Sequence, residues 1–204
     1  GIDDGEIKFI EQDPDGFETL CFPEFQFAIP RGYARFREKL LEVFPQEQVG
    51  IDRYFKMLQQ VWDFMGIHSR PLTALWVLPR SWMLMRHAKS TVEQFLDTCT
   101  HDVRLRAILT GQLGVYHQPP SRATMTGHAA VINHFLQGSY YPSGGGQMFS
   151  DKLGEVVERK GGKILLRSKV ERILIENGRA VGVEFSNKHL GKRVVKAAAV
   201  VCNT

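Results

Sequence analysis

The run Tyr140-Tyr141-Pro142-Ser143-Gly144-Gly145-Gly146-Gln147, continuing into Met148, divides the chain. Tyr141 precedes a proline and is pushed out of the helical region, so the run enters as extended chain. Three glycines then permit positive φ or a close backbone approach. Beyond them Met148, Phe149, Leu153, Val156 and Val157 recur at helical spacing, with Lys152, Glu155, Glu158 and Arg159 mostly opposite. The spacing predicts a helix over 148–160, ended by Gly161-Gly162. A glycine loop feeding a helix can hold a phosphate. This one contains neither Gly-x-Gly-x-x-Gly nor Gly-Lys-Ser/Thr. The plainer reading is a connection between two domains, because the texture of the chain changes here.

Before the glycines the pattern is mostly helical. A strand beginning at Ile7, a turn at Asp13-Pro14-Asp15-Gly16, a strand from Phe17 and a third over Phe25-Gln26-Phe27-Ala28-Ile29 predict a small antiparallel meander, its inner face rich in phenylalanine. The turn calls for glycine at a position needing φ > 0. Tyr33, Phe36, Leu40 and Phe44 then mark a helix ending at Pro45. Ile51, Tyr54, Phe55, Leu58, Val61, Trp62 and Met65 mark a longer one closed by Gly66. Residues 72–85 are apolar nearly all round, broken by Pro79 and flanked by Arg80, Arg86, His87 and Lys89. Such a segment is buried or lines a tunnel, or it faces a membrane surface with its cations at the headgroups. Ser90-x-x-Glu93 reads as a capping box. Asp102 is an N-cap for the helix of Val103, Leu105, Ile108 and Leu109. Ser121 is expected to cap a helix carrying Ala130, Val131, Phe135 and Leu136.

After the glycines the pattern is that of strands. Lys163-Ile164-Leu165-Leu166-Arg167 and Val170-Glu171-Arg172-Ile173-Leu174-Ile175 are expected strands. Asn177-Gly178 is a strong hairpin signal before Ala180-Val181-Gly182-Val183-Glu184-Phe185. Residues 192–196 form a further strand, and Ala197-Ala198-Ala199-Val200-Val201-Cys202 reads as a fully buried one. The expected fold class is α+β.

Composition limits the function classes. The 204 residues are 43% hydrophobic and 24% charged, a globular balance. The net charge of +4 is spread without a Lys/Arg block, which argues against a nucleic-acid partner. No apolar run approaches the length of a spanning helix, and the acidic start is no signal peptide. Three scattered cysteines and seven histidines give neither a disulfide framework nor a metal-ligand spacing, and the thiols read as reduced, as in the cytoplasm. His128 and His134 fall on different faces of a helix.

The run from Tyr141-Pro142-Ser143-Gly144-Gly145 through Gly161-Gly162-Lys163-Ile164-Leu165-Leu166-Arg167-Ser168-Lys169-Val170, then Asn177-Gly178-Arg179-Ala180-Val181-Gly182-Val183 and Val200-Val201-Cys202-Asn203-Thr204, resembles the flavin-dependent phytoene desaturase family, which includes carotenoid isomerases and retinol saturases. Asp13-Pro14-Asp15-Gly16, Ile29-Pro30-Arg31-Gly32 and Asp102-Val103-Arg104-Leu105-Arg106 are similar to it too. The resemblance covers nearly the whole chain and is most specific in its last third. It implies an FAD-dependent oxidoreductase acting on a C–C bond of an apolar polyene or isoprenoid lipid. Relatives hold the FAD pyrophosphate on an N-terminal strand and Gly-x-Gly-x-x-Gly turn that this sequence lacks. The chain therefore resembles the family's central portion, which is expected to bind little FAD alone. A substrate-binding domain is expected over 1–140 and part of the FAD-binding domain over 141–204. The resemblance implies that the main chain of Val170 meets the adenine of FAD, with Asn203 and Thr204 at the strand end beside the cofactor. It assigns no catalytic acid or base. The apolar segment around Trp76 and Trp82, the phenylalanine-rich meander and residues 131–136 are expected tunnel walls, with Tyr140, Tyr141, His117 and Arg122 near the junction. Two other readings stay open: a non-catalytic, membrane-associated lipid-binding module, and an amine oxidase-like flavoenzyme. The expected location is the cytoplasm, on a membrane periphery if the apolar segment faces lipid.

Overall fold

The computed structural model describes residues 7–66 and 74–203. The chain forms two compact units, one over Lys8–Ser143 and one carrying residues 144–203. The fold is α+β, with helices and small antiparallel sheets.

The first unit is built on α2 (Gln48–Gly66), whose buried stripe is Ile51, Tyr54, Phe55, Leu58 and Val61. Helical spacing of these side chains leaves one face that must be covered. Helices α1 (Tyr33–Val43) and α7 (Met125–Leu136) pack on that face. Short helices α3 (Ala74–Val77), α4 (Trp82–Arg86), α5 (Val92–Leu96) and α6 (Val103–Thr110) complete the helical layer. Phe27, Phe36, Phe55, Phe95, Met125 and Ile132 are among its buried core. Asp102 caps α6 as expected, accepting from the amides of Arg104 at 2.9 Å and Leu105 at 3.0 Å. Each such bond satisfies an amide that the helix itself leaves unpaired.

Two caps differ from expectation. The capping box is Thr91 with Gln94, one residue after Ser90 and Glu93. Ser90 is engaged instead with His87, Oγ to Nδ1 at 3.1 Å. The cap of α7 is Thr124, which accepts from Gly127, because residues 119–122 form a turn closed by Arg122 N–H on Pro119.

The expected meander is two separate pairs. Strand β1 (Phe9–Glu11) pairs with β4 (Tyr140–Pro142), placing Ile10 opposite Tyr141. Strand β2 (Glu18–Cys21) pairs with β3 (Gln26–Ile29). The Asp13-Pro14-Asp15-Gly16 turn forms, its Gly16 amide donating to Asp13 at 3.1 Å. It redirects the chain and does not fold it back, because Gln12 bonds to Ser139 and Arg31 to Pro14. Gly16 has no positive φ; it is needed because a Cβ there would stand 3.0 Å from the Cβ of Ala28.

In the second unit, Gly144 and Gly145 take φ of 91° and 80° and deliver the chain into α8 (Gln147–Arg159). Gly161 N–H bonds Glu158 and Gly162 N–H bonds Val157, the Schellman ending that the glycine pair foreshadows. Strands β5 (Ser168–Glu176), β6 (Arg179–Asn187) and β7 (Gly191–Lys196) form an antiparallel sheet in that order. Asn177 and Gly178 both have positive φ, 50° and 75°, the primed turn that matches strand twist.

Two expected strands are absent. Residues 163–167 run as coil and turn, with Arg167 at φ 53° and no ladder partner. Residues 197–202 join no ladder, although Ala197 N–H bonds Val181, and Val201 is 94% exposed. An apolar run becomes a buried strand only where neighbours supply both a ladder and a cover, and among the described residues neither is present.

Candidate functional site: an apolar groove and a sheet edge

The first unit contains an apolar groove of about 550 Å³. Helix α2 contributes Val61, Phe64 and Met65, α4 contributes Leu84 and Met85, and α7 contributes Ala130. The volume lies within the roughly 300–1,000 Å³ usual for small-molecule sites. Its walls follow from local structure. Val61 and Met65 are one turn apart on α2. Small residues at Gly127 and Ala130 keep α7 low on this side. The α4 wall is fixed by Gln60, whose Nε2 donates to the Arg80 carbonyl at 2.6 Å and whose Oε1 accepts from the Leu84 amide at 2.9 Å. An amide side chain with both roles can bind two backbone groups at once. Among the described residues no carboxylate or cation lines the groove, so it can hold an apolar body by shape and exclusion of water.

The groove meets the expected walls only in part: of the apolar segment around Trp76 and Trp82, Leu84 and Met85 line it. Trp76 and Trp82 are exposed and do not line it. Helix α7 lines it at Thr126, Gly127 and Ala130, one turn before the expected 131–136, where Ile132 and Leu136 instead enter the core. Phe27 also belongs to the core, and Phe17 stacks on Phe135 with ring centroids 6.1 Å apart. Residues 72–85, expected to be buried, to line a tunnel or to face a membrane surface, are divided in the structure. Met83 and Leu84 are buried, while Leu75, Trp76, Leu78, Trp82 and Met85 are exposed. The segment is too short and too bent by Pro79 to bury more than one side. Its residues 72 and 73 lie outside the described residues. Tyr140 and Tyr141 are exposed on β4; His117, at φ 55°, follows the 3₁₀ turn Gly111–Tyr116; Arg122 lies in the 119–122 turn. No shared site joins these four among the described residues.

A polar cluster that the sequence did not reveal sits behind the groove. His128, fully buried on α7, meets Tyr54 Oη with Nε2 at 3.0 Å and Tyr116 Oη with Nδ1 at 2.8 Å. A neutral imidazole has one donor and one acceptor, so one phenol donates to it and the other accepts. Burial holds the His128 pKa down at about 4. Burial likewise raises Tyr116 to about 12 and Tyr54 further. Tyr33 donates to Asn133 Oδ1 at 2.5 Å, and Asn133 Nδ2 donates to the Leu58 carbonyl at 2.7 Å. With every buried side-chain nitrogen and oxygen of the described residues partnered, this network holds α7 against α2 and offers no free acid or base.

In the second unit, Val170 lies on β5, 53% exposed and opposite Phe185. The register shifts between Val170 and Arg172, so Glu171 is a bulge residue. Ser186 and Lys169 both donate to its carboxylate, and these bonds hold it below the usual carboxylate range. β5 is the outermost strand of its sheet, and alternate N–H and C=O groups along it lack a ladder partner there. Asn203 is exposed at the end of the 197–203 stretch. Thr204 lies outside the described residues, and with it the spacing of Val170 and Thr204. Among the described residues no group of three His, Cys, Asp or Glu side chains could hold a metal ion. Among them, too, no helix is long and apolar enough to cross a membrane.

Comparisons with known proteins bear on both units. A family model described as GMC oxidoreductase matches residues 147–204, which begin at α8 and carry the three-stranded sheet. All-trans-retinol 13,14-reductase of Danio rerio is 26% identical over 193 residues, 87% of this chain and 32% of its own. The Macaca fascicularis protein of that name is 28% identical over 175 residues, 80% of this chain and 29% of its own. Prolycopene isomerase 1, chloroplastic, of an Oncidium hybrid cultivar is 24% identical over 176 residues, 78% of this chain and 29% of its own. The chain thus spans about a third of the length of the curated relatives it matches. The family resemblance drawn from the sequence holds in these relatives.

Proposed function

We propose that this chain, a homologue of retinol saturases and carotenoid isomerases, is the central portion of an FAD-dependent oxidoreductase acting on a C–C bond of an apolar polyene. The observation that carries the reading is the groove of about 550 Å³ whose described walls are uncharged, in a homologue of enzymes named for retinol and prolycopene. Residues 8–143 are the substrate side and 144–204 the cofactor side. The second unit fits a main-chain role at the cofactor. β5 is an edge strand bent by a bulge beside Val170, and recognition of an adenine by backbone groups needs such unpaired N–H and C=O. On this reading the Val170 backbone would hold the adenine, with Asn203 and Thr204 beside the cofactor. A bound flavin supplies the exchange of a hydride or electrons with the C–C bond.

The chain's own part is to bind and orient. Val61, Phe64, Met65, Leu84 and Met85 displace water from a long apolar body, and the methionines adapt to its shape. The low wall at Gly127 and Ala130 admits it. The buried His128 cluster keeps that wall fixed and takes no proton from substrate. The relatives, named as a reductase and an isomerase, lend no support to an amine oxidase.

The test uses the full-length protein. It is expected to carry a flavin visible by absorbance, and Ala130→Trp, which fills the groove, is expected to lower kcat/KM for a retinoid or carotene at least tenfold with flavin content unchanged. A full-length protein without flavin, or an Ala130→Trp variant that turns over the polyene normally, overturns the reading.

A further inference from the structure

We propose that a cleft between α2 and α4 binds the phosphoryl group of a small soluble phosphate, gripped by Arg53, Arg86 and His87. The cleft has a volume of about 240 Å³ and is lined by those three side chains with Thr98, Trp82 and Met83. It lies below the roughly 300–1,000 Å³ usual for sites of drug-sized molecules, so its occupant is small.

The positive charge of the cleft is not neutralised from within. Among the described residues no carboxylate lines it. The two acids next in sequence to its walls are engaged elsewhere. Asp52 accepts from Arg37 Nε at 2.6 Å, and Asp97 accepts from Arg106 Nη1 at 2.6 Å. Arg86, the last residue of α4, enters no ion pair or hydrogen bond among the described residues. Lys56 Nζ adds a cation 5.5 Å from the Trp82 ring centroid. The His87 imidazole is held below its ordinary range by burial and then by Arg86 and Arg53, so both guanidiniums bear on one ring.

A single arginine in the last turn of a helix is commonly a charge that favours the helix end. Two that line one cleft repel each other, and an anion between them replaces that repulsion with attraction. The donors are also held in place. Arg53 Nη1 donates to the Thr98 carbonyl, which fixes its guanidinium against the 96–99 turn. His87 Nδ1 bonds Ser90 Oγ at 3.1 Å, and its ring stands edge-on to Phe95 with centroids 5.1 Å apart. Its Nε2 is left without a partner among the described residues. A guanidinium presents paired N–H donors that match two phosphate oxygens. Two guanidiniums suit a phosphoryl group of charge about −2 better than a carboxylate. Trp82 and Met83 give an apolar wall to the part that carries the phosphate. A phosphate held by Arg53 and Arg86 ties α4 to α2 at a second point besides the Gln60 bonds to Arg80 and Leu84.

The experiment is calorimetric titration of the full-length protein with inorganic phosphate, with chloride at matched ionic strength as the control. Hydrogen exchange of residues 82–87 is followed in the same solutions. Phosphate is expected to bind saturably and to slow exchange in α4, and chloride to do neither. Arg86→Gln gives up no internal bond, so its Tm in chloride is expected to equal that of wild type. It is expected to weaken phosphate binding on the order of tenfold and to remove the protection of α4. Arg86→Lys, which keeps the charge without the paired donors, is expected to fall between the two. Absence of saturable binding, equal protection by chloride, or an Arg86→Gln variant that binds phosphate as wild type overturns the proposal. So does protection of α4 by vesicles of phosphatidic acid in phosphatidylcholine without protection by inorganic phosphate, which gives the cleft to a lipid headgroup. None of these readouts uses turnover, so they stand apart from the test of the enzyme.

Discussion

His128 lies between two phenols and bonds to both. Its pKa of about 4 in the folded chain, against 6.5 when free, makes stability depend on pH. The unfolded chain takes up a proton as pH falls below about 6.5, and the folded chain does not until about pH 4. The stabilisation is whole above pH 6.5 and is lost across that window, about 3 kcal/mol in all. Urea unfolding at pH 7.5 and pH 4.5 is expected to show the loss, and His128→Gln to flatten this part of the slope. Gly50 makes a different demand. A Cβ there would lie 2.0 Å from the Cys99 carbonyl oxygen, so Gly50→Ala forces α2 off the 96–99 turn. Thermal unfolding should report a loss of about 1–3 kcal/mol. Neither residue was legible in the sequence. His128 meets partners 74 and 12 residues away, and Gly50 resembles any glycine near a helix start.

At the scale of elements, much self-contained local chemistry was read correctly, although the caps expected at Ser90 and Ser121 fall at Thr91 and Thr124. The glycines after Pro142, the Schellman ending at Gly161-Gly162, the Asn177-Gly178 turn and the Asp102 cap each depend on a few neighbouring residues. Asp102→Ala is expected to destabilise α6 by about 1 kcal/mol, visible as a lower urea midpoint with unchanged m-value. Elements that depend on distant partners were misread. Residues 163–167 and 197–202 have the composition of strands but no ladder, and β1 chose β4 over β2. The groove was placed only in part, at Leu84 and Met85, for the same reason: an apolar stripe shows that a face is buried, not which residues leave a gap. The exposed side of 74–85 has the composition of a core segment, and only the burial pattern separates the two.

The molecule as a whole is uneven in stability. The unit over Lys8–Ser143 holds a continuous core, whereas Phe185 is the one buried large apolar side chain of residues 144–203. Apolar side chains such as Leu153, Val157, Ile175 and Val194 remain exposed there. Native-state hydrogen exchange of the 204-residue chain is expected to show the amides of α2 and α7 opening only in global unfolding. Those of 188–203 are expected to exchange by local opening at much lower free energy. Equal protection across the two units would contradict this.

Gln60 joins the groove wall to α2 through a neutral amide that gives one hydrogen bond and receives another. Such a clasp has no charge to screen and no proton to lose near neutrality. Ionic strength and mild acidity leave such a clasp unchanged. The groove it frames can therefore keep its shape across conditions that would loosen a wall held by an ion pair.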